Sequence, residues 1–201
     1  GEWRWGKPSG LKGTGAKLYP YATPAMAQAI IAAIPENIPH SRSPHNWRLF
    51  FRVLWETGIR MSEGLALTRE DVQQTGLLVH RSKKRETIVD RLPVQLSLFA
   101  ALSSHIMTLR SRQNRLFLCK ARRAAQVLKQ AAVRAGYDPR MIHPHLFRHG
   151  FAMNFIAQHR HEPDCMVRLQ KILGHKRIET TMRYLDPSFA DLQADIDAMA
   201  F

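Results

Sequence analysis

An arginine that follows a helix-ending glycine is the first side chain placed to do chemistry. In the segment T-G-I-R-M-S-E (residues 57–63), Gly58 ends a predicted helix and Arg60 lies in the turn beyond it. The planar guanidinium fork matches the oxygens of a phosphate, and a turn holds it more firmly than a helix surface does. We expect Glu63 to orient Arg60 or the local backbone. Taken alone, Arg60 would more often be one partner of a surface ion pair.

A histidine and an arginine lie three residues apart in the segment H-P-H-L-F-R-H (residues 143–149). If Pro144 is the first helical residue, His145 and Arg148 share one helical face and can reach one target together. We expect His149 to point away from His145 and to have a supporting role. Cations near a helix N-terminus oppose the helix dipole unless an anion binds there. The segment therefore predicts an anion site, and the alternative is a hydrogen-bonded histidine beside an exposed arginine.

Two further motifs follow near the end of the chain. The tripeptide L-G-H at residues 173–175 comes just after a predicted helix, and Tyr184 lies nine residues beyond His175. Either motif alone says little, because a tyrosine is usually half-buried with its hydroxyl hydrogen-bonded. In this order, however, the four motifs closely resemble the tyrosine recombinase (phage integrase) family. The resemblance covers roughly residues 20–201.

The resemblance implies a role for each matching residue. Tyr184 would be the nucleophile that attacks a DNA phosphorus to give a 3′-phosphotyrosine. Arg60 and Arg148 would grip the non-bridging oxygens of that phosphate, and His145 and His175 would complete the cage. Preorganised donors lower the barrier to phosphoryl transfer, and a phenol with a pKa of about 10 needs a positive field or an acceptor to attack. The phosphotyrosine keeps the energy of the broken bond, so we expect rejoining to need no ATP, and no step requires a metal ion or other cofactor.

A lysine on the hairpin after the first arginine would, by the same resemblance, protonate the 5′-hydroxyl leaving group. Lys83, four residues after Val79, fits this place better than Lys84, which is displaced by one position. The alternative for the whole polar run is a solvated hairpin tip that touches phosphates nonspecifically. Six basic side chains are expected to contact the DNA: Arg81, Lys83, Lys84, Arg85, Lys176 and Arg177.

The overall charge favours a polyanionic partner. The 201 residues include 30 Lys and Arg against 16 Asp and Glu, a formal net charge of +14, and 45% are apolar, enough for a folded core. Double-stranded DNA is the expected partner, since each neutralised phosphate releases counterions. A membrane surface is less favoured, because no large basic amphipathic helix is evident. With two distant cysteines, Cys119 and Cys165, and no apolar run of transmembrane length, we expect a cytoplasmic protein.

These groups must be positioned by a mainly α fold with one small antiparallel β-sheet (α+β), the catalytic-domain fold that the resemblance implies. Thr-Pro at residues 23–24 and Ser-Pro at residues 43–44 are start signals for the first two helices. Strands are predicted at 77–80 and 87–92, joined by the polar run 81–86. Further helices are predicted at 95–110, 121–135, 144–159, 164–174, 180–185 and, with Ser188 as its cap, 188–199.

The chain divides into a predicted basic linker or arm, residues 1–20, and a catalytic domain, residues 21–201. Because it begins with Gly rather than Met, we expect the N-terminal core-binding domain of the family to be missing. The resemblance implies four protomers on two DNA duplexes that exchange the helix 188–199, although that helix could equally pack in its own protomer. A lengthened loop at 159–164 carries histidines close to Cys165, but their irregular spacing does not favour a metal site.

The expected activity is the cutting and rejoining of DNA at specific sites, as in integration, excision, resolution or inversion. Three alternatives remain open at this stage: a type IB topoisomerase, a catalytically idle DNA-binding module and a basic RNA-binding protein. The small size and the C-terminal helix favour a recombinase over a topoisomerase. The full set of catalytic side chains argues against an idle module, and no aromatic stacking motif supports RNA binding.

Overall fold

The computed structural model describes residues 21–35, 46–74, 76–83, 86–143, 145–177, 180 and 181. Within these ranges the fold is mainly helical with one small sheet, as predicted. The helices are α1 (Pro24–Ala32), α2 (Trp47–Thr57), α3 (Met61–Ala66), α4 (Leu96–Thr108), α5 (Ala121–Arg134), α6 (Leu146–His159) and α7 (Cys165–Leu173). The strands are β1 (Val72–Gln73), β2 (Gly76–Lys83) and β3 (Glu86–Leu92), and a single 3-10 turn spans Pro139–Met141.

The local signals at helix ends set most of these boundaries. Thr23 caps α1, and its hydroxyl accepts a hydrogen bond from the backbone N–H of Met26 at 3.2 Å. The Ser-Pro signal at residues 43–44 lies outside the described residues. The described helix α2 begins at Trp47, with the Asn46 side chain accepting from Leu49. The N-cap of α2 is therefore Asn46, whereas the sequence pattern had placed the start signal at residues 43–44.

The sheet is larger than predicted. Its three strands are antiparallel in the order β1-β2-β3, and the β2–β3 ladder is continuous from Leu77 opposite Leu92 to Lys83 opposite Glu86. The predicted loop 81–86 was therefore too long at both ends, since residues 81–83 belong to β2 and residue 86 belongs to β3. Hydrogen bonding to a partner strand outweighs the weak strand propensity of a polar run. β1 was missed because two residues are too short to show an alternating pattern.

The helix that carries His145 and Arg148 starts later than predicted. α6 begins at Leu146, two residues later than predicted, and His145 is its N-cap. The end at His159 agrees with the prediction. The next helix, α7, is flanked by Asp164 and by Gly174, as predicted, and Gly174 adopts a left-handed backbone with φ 64°.

Two hydrophobic clusters hold these elements together. The main core collects buried side chains from α1, α2, the sheet, α4, α5 and the start of α6. Edge-to-face aromatic contacts link its parts, with Phe50 against Phe117 and Phe51 against Phe147. A smaller, separate cluster lies between α6 and α7 and consists of Ala152, Ile156, Cys165, Leu169 and Leu173. Arg148 on α6 lies in sequence between Phe147 of the main core and Ala152 of the smaller cluster.

In the part of the chain that the structure describes, none of the helices has both the length and the apolar character needed to cross a bilayer.

Candidate active site

Arg60 is fixed at the start of α3 by one buried carboxylate. Glu63, 6% exposed, accepts the Arg60 backbone N–H on Oε2 at 2.7 Å and pairs with Arg60 Nη1 through Oε1 at 2.7 Å. The first contact caps the N-terminus of α3, and the second holds the guanidinium. The expectation that Glu63 orients Arg60 or its backbone is confirmed, because it does both.

Arg148 is buried and joins the ends of two helices. Its Nη1 donates to the carbonyl oxygen of Gly58, just beyond α2, and its Nη2 donates to the carbonyl oxygen of Leu173, at the end of α7, both at 2.7 Å. The alternative of an exposed Arg148 is wrong. Because both carbonyls belong to the backbone, the position of this buried charge is set by the fold itself.

The histidines around the start of α6 form a group. The rings of His145 and His149 have centroids 6.3 Å apart, and those of His143 and His149 are 6.0 Å apart. The expectation that His149 points away from His145 was wrong, because residues four apart on a helix are neighbours. Burial, followed by the charges of His143 and His145, lowers the pKa of His149 to about 4.

His145 is exposed to solvent overall, but neighbouring groups shield part of its imidazole ring from water. Partial burial, followed by the positive charges of Arg148 and Arg60, lowers the pKa of His145. The two arginines act on this ring together, so all three side chains share one electrostatic environment. A neutral imidazole at that place adds a hydrogen-bond donor without adding to the local positive charge.

His175 lies just beyond Gly174 and is held from both sides. Its Nδ1 is 2.8 Å from the hydroxyl oxygen of Thr181. Its backbone N–H donates to the carbonyl oxygen of Gln170, and its carbonyl oxygen accepts from Nε2 of Gln170, both at 3.1 Å. Burial, followed by the charges of Arg148 and Arg60, lowers the pKa of His175 to about 4. Sequence reasoning missed Thr181; the available signal was its place three residues before Tyr184.

Arg81 is not on a solvated hairpin tip. It lies in β2 and is 3% exposed. Its Nη2 donates to the carbonyl oxygen of Ile172 in α7 at 2.6 Å, and its Nε lies 2.7 Å from Oδ2 of Asp90 in β3. Asp90 was also missed by sequence reasoning, which offered no sign of this pairing.

One cleft of about 550 Å³ collects much of this chemistry. Its basic lining residues are Arg60, His80, Arg81, His175, Lys176 and Arg177. Among the described residues that line it, the single acid is Glu63, which is already paired with Arg60. The lining thus has the cationic side chains Arg60, Arg81, Lys176 and Arg177 against the single acid Glu63, so the cleft is positive. It suits a phosphate group, which Arg can bind in a bidentate manner.

The sequence model of the phage integrase family matches residues 22–191. The chain belongs to the phage integrase family. Tyrosine recombinase XerD of Rickettsia conorii is 25% identical over 179 residues, which covers 78% of this chain and 57% of the relative. The chain thus spans little more than half the length of the curated relatives it matches first.

Solved structures agree on the fold of this phage integrase family member. The catalytic domain of bacteriophage HP1 integrase superposes with a TM-score of 0.62 at 24% identity, covering 89% of this chain and 94% of that one. The XerH site-specific recombinase, bound to a palindromic difH substrate in a post-cleavage complex, gives a TM-score of 0.69 at 18% identity. That match covers 92% of this chain and 55% of XerH.

Several predicted site residues of this integrase family member lie outside the described residues, namely Tyr184, Lys84 and Arg85. The backbone of Lys83 is placed at the end of β2, and Lys176 and Arg177 are exposed at the cleft. Their catalytic and DNA-binding roles stay predictions. Across the described ranges, no group of three or more His, Cys, Asp and Glu side chains could hold a metal ion.

Proposed function

We propose that this chain is the catalytic domain of a site-specific DNA recombinase that cuts and rejoins DNA through a phosphotyrosine on Tyr184. The observation that carries the proposal is the positive cleft, in which Arg60 and His175 are held by dedicated partners. Relatives named tyrosine recombinases, and a neighbour solved with its DNA substrate, support the same interpretation.

The proposed reaction begins with phosphate binding. A phosphodiester gains negative charge on its non-bridging oxygens as a nucleophile approaches, and preorganised donors stabilise that charge without having to move. Arg60 would meet those oxygens from the turn before α3. The buried Arg148 would supply a fixed charge, because two backbone carbonyls hold its guanidinium. His145 and His175, neutral near pH 7, would donate hydrogen bonds.

The nucleophile and the leaving group complete the scheme. The Tyr184 oxygen would bond to phosphorus while the bond from phosphorus to the 5′ oxygen breaks. The phenol proton would pass to an acceptor in the cleft, and Lys83 would give a proton to the departing oxygen. In the reverse step, a 5′-hydroxyl would attack the phosphotyrosine and release Tyr184. The energy of the broken bond is kept in the phosphotyrosine, so we expect no ATP to be needed. The arginine, histidine and lysine side chains would supply the charge stabilisation and the proton that a metal ion could otherwise provide, so we expect no metal ion either.

Duplex DNA is the proposed substrate and partner. Lys176 and Arg177 at the cleft, with Lys83, Lys84 and Arg85 on the hairpin, would neutralise phosphates next to the cut site. We also propose a tetramer on two duplexes, formed by exchange of residues 188–199 between neighbours. Those residues lie outside the described part of the chain, so the tetramer is supported by the family resemblance alone.

Covalent trapping tests the proposal directly. The chain is incubated with EDTA and a pool of nicked duplexes with randomised sequence around the nick, so that a short 5′-hydroxyl fragment diffuses away after cleavage. Denaturing gels should show a protein–DNA adduct that is lost in Tyr184→Phe but kept in the control Tyr21→Phe. Sequencing the trapped DNA would show whether one site is enriched.

Each other outcome points to a different function. An adduct without sequence preference, together with relaxation of any supercoiled plasmid, would indicate a type IB topoisomerase. DNA that is bound in a gel shift but never trapped would indicate an idle binding module. An adduct that survives Tyr184→Phe would overturn the assignment of the nucleophile.

A further inference from the structure

The Arg81 side chain connects three elements although it belongs to the β-hairpin. It sits on β2, pairs with Asp90 on β3, and donates to the Ile172 carbonyl in the last turn of α7. Asp90 lies opposite Val79, two positions along β2 from Arg81, so the Arg81–Asp90 pair is a diagonal cross-strand contact. The bond to Ile172 spans 91 residues of sequence.

The contact with α7 continues onto the turn that carries His175. A Cβ atom added to Gly174 would lie 1.6 Å from Arg81 Nη1 and 2.3 Å from Cζ. The guanidinium therefore packs directly on the Gly174 backbone, in space that exists only because residue 174 has no side chain. His175 follows immediately, and the charge of Arg81 contributes to the low pKa of its imidazole.

The burial of Arg81 is unfavourable on its own. Nη1 has no hydrogen-bond partner among the described residues, and the Nε–H does not point well enough at Asp90 to form a regular hydrogen bond. Desolvation lowers the pKa of the Arg81 guanidinium, which shows that burial disfavours its charged form. A buried donor without a partner costs stability. A contribution to stability is therefore a poor explanation for an arginine here.

We propose that Arg81 is a positioning residue, which fixes the β2–β3 hairpin, with Lys83 at the end of β2, against the α7 turn that carries His175. This inference rests on the proposed recombinase function and deepens it. It also replaces the expectation that Arg81 contacts DNA, because a side chain 3% exposed in this arrangement offers almost no surface to a phosphate. The hairpin and the α7 turn contribute different catalytic groups, so their relative position must be held.

The test separates positioning from DNA contact. Arg81→Met keeps the apolar stem and removes the guanidinium, and Arg91→Met on β3 is the matched control, because Arg91 is exposed. Single-turnover cleavage of nicked DNA at saturating protein is measured together with the salt dependence of DNA binding. We expect Arg81→Met to slow cleavage by about tenfold to a hundredfold, as misplacement of catalytic groups does, with the salt slope of binding unchanged.

A DNA-contacting Arg81 would give the opposite pattern. Removing one bound phosphate would reduce the slope of log K against log salt by about 0.9 and leave cleavage at saturation near that of the original chain. Arg81→Lys adds a second discrimination. Lysine keeps the charge but not the planar fork that reaches both Ile172 and Asp90, so positioning predicts that cleavage stays slow.

Asp90→Asn tests the same inference if Arg81→Met does not fold. It leaves Arg81 in place and weakens only its anchor on β3. Because the change removes a negative charge, it cannot weaken DNA binding electrostatically, so slower cleavage with equal or tighter binding would reflect lost positioning. Cleavage at the original rate would overturn the inference.

Failure of the proposed function would be visible separately, as the absence of any adduct with the unsubstituted chain. A readout that needs no activity then decides the inference. Amide NMR signals of residues 172–175 should shift in Asp90→Asn, on the far side of Arg81, if the side chain couples hairpin and turn. Unchanged signals for these residues would contradict the coupling.

Discussion

The Nδ1 atom of His175 lies 2.8 Å from the hydroxyl oxygen of Thr181, a side chain with no exposed surface. With its pKa near 4, the imidazole is neutral at pH 7 and has one donor and one acceptor nitrogen. In the arrangement where Thr181 donates its hydroxyl hydrogen to Nδ1, the ring proton sits on Nε2 and is available to a phosphate. Thr181, three residues before Tyr184, would then select that tautomer.

Replacing Thr181 should slow cleavage without removing the fold. Thr181→Val keeps the shape but leaves Nδ1 unpaired, and loss of a buried hydrogen bond costs about 1–3 kcal/mol. We expect single-turnover cleavage to fall by about tenfold or more, which corresponds to about 1.4 kcal/mol. Thr181→Ser is the control, because it keeps the hydroxyl. Equal rates for the valine and serine variants would show that the contact does not matter.

Acid should destabilise the DNA-free chain through two histidines. Folding lowers the pKa of His149 and His175 to about 4, from about 6.5 in the unfolded chain. Between these values the unfolded state binds more protons, so stability rises with pH. The free energy of unfolding should thus fall as the pH drops from about 6.5 towards 4.

Urea unfolding at constant ionic strength between pH 7 and pH 4.5 measures this dependence. His149→Asn should flatten it, because one of the two histidines with the largest shifts no longer titrates. Histidine NMR titrations give the pKa of each ring in the folded protein, from which the pH dependence follows by linkage. Midpoints near the unfolded value for both rings would contradict the prediction.

Gly174→Ala should destabilise the protein more than an equivalent change elsewhere. Gly174 has φ +64°, and its new Cβ would overlap the anchored guanidinium of Arg81. Gly136 is a matched control, since it has φ +84° and nothing within 4 Å of an added Cβ. Gly136→Ala should cost only the backbone strain of about 1–2 kcal/mol, and Gly174→Ala should cost more. Thermal unfolding of both variants checks this, and equal losses would refute the close packing.

The ion pair that holds Arg60 can be tested by replacing the Glu63 carboxylate with a neutral amide. Glu63→Gln can still accept the Arg60 backbone N–H but loses the ion pair, and a hydrogen bond to a charged group contributes about 1.5–3 kcal/mol. We expect cleavage to fall by about tenfold or more. Glu56→Gln is the control, because Glu56 pairs with Arg52 on α2, outside the residues that line the cleft. A similar loss in both variants would point to general destabilisation instead.

The exposed basic residues at the cleft should act on binding rather than on chemistry. Lys176→Ala and Arg177→Ala should each weaken binding to any duplex and reduce the salt slope by about 0.9 for each phosphate that is no longer neutralised. Cleavage at saturating protein should stay close to that of the original chain. Lys129→Ala, an exposed lysine on α5, is the control. Binding that responds equally to all three changes would place the DNA elsewhere.

Short-range patterns predicted the elements well. Thr23, Gly58 and Gly174 marked helix boundaries correctly, because caps and left-handed glycines depend on a few neighbouring residues. The order of the four motifs likewise identified the family, which the match over residues 22–191 shows. The site residues themselves stay predictions, since Tyr184 lies outside the described part of the chain.

Two of the errors, on Arg81 and on Arg148, share a physical cause, which is contact between residues distant in sequence. Arg81 looked like a loop residue because nothing near it in the chain reveals the Ile172 carbonyl or the gap above Gly174. An exposed Arg148 was a plausible alternative for the same reason, since both carbonyls that it binds belong to other helix ends. The misplacement of His149 was different, because helical spacing alone would have placed it next to His145.

The separate small cluster between α6 and α7 has a consequence for how the domain opens. Among the described residues, α7 packs through a few apolar side chains, and Leu169 and Leu173 belong to the smaller cluster and not to the main core. Segments with little buried apolar surface open at lower free energy than the whole protein unfolds. The backbone amides of α7 should therefore exchange with deuterium before those of α2. Each such opening would carry His175 away from Arg60 while the rest of the domain stays folded, so the site can be dismantled reversibly without global unfolding.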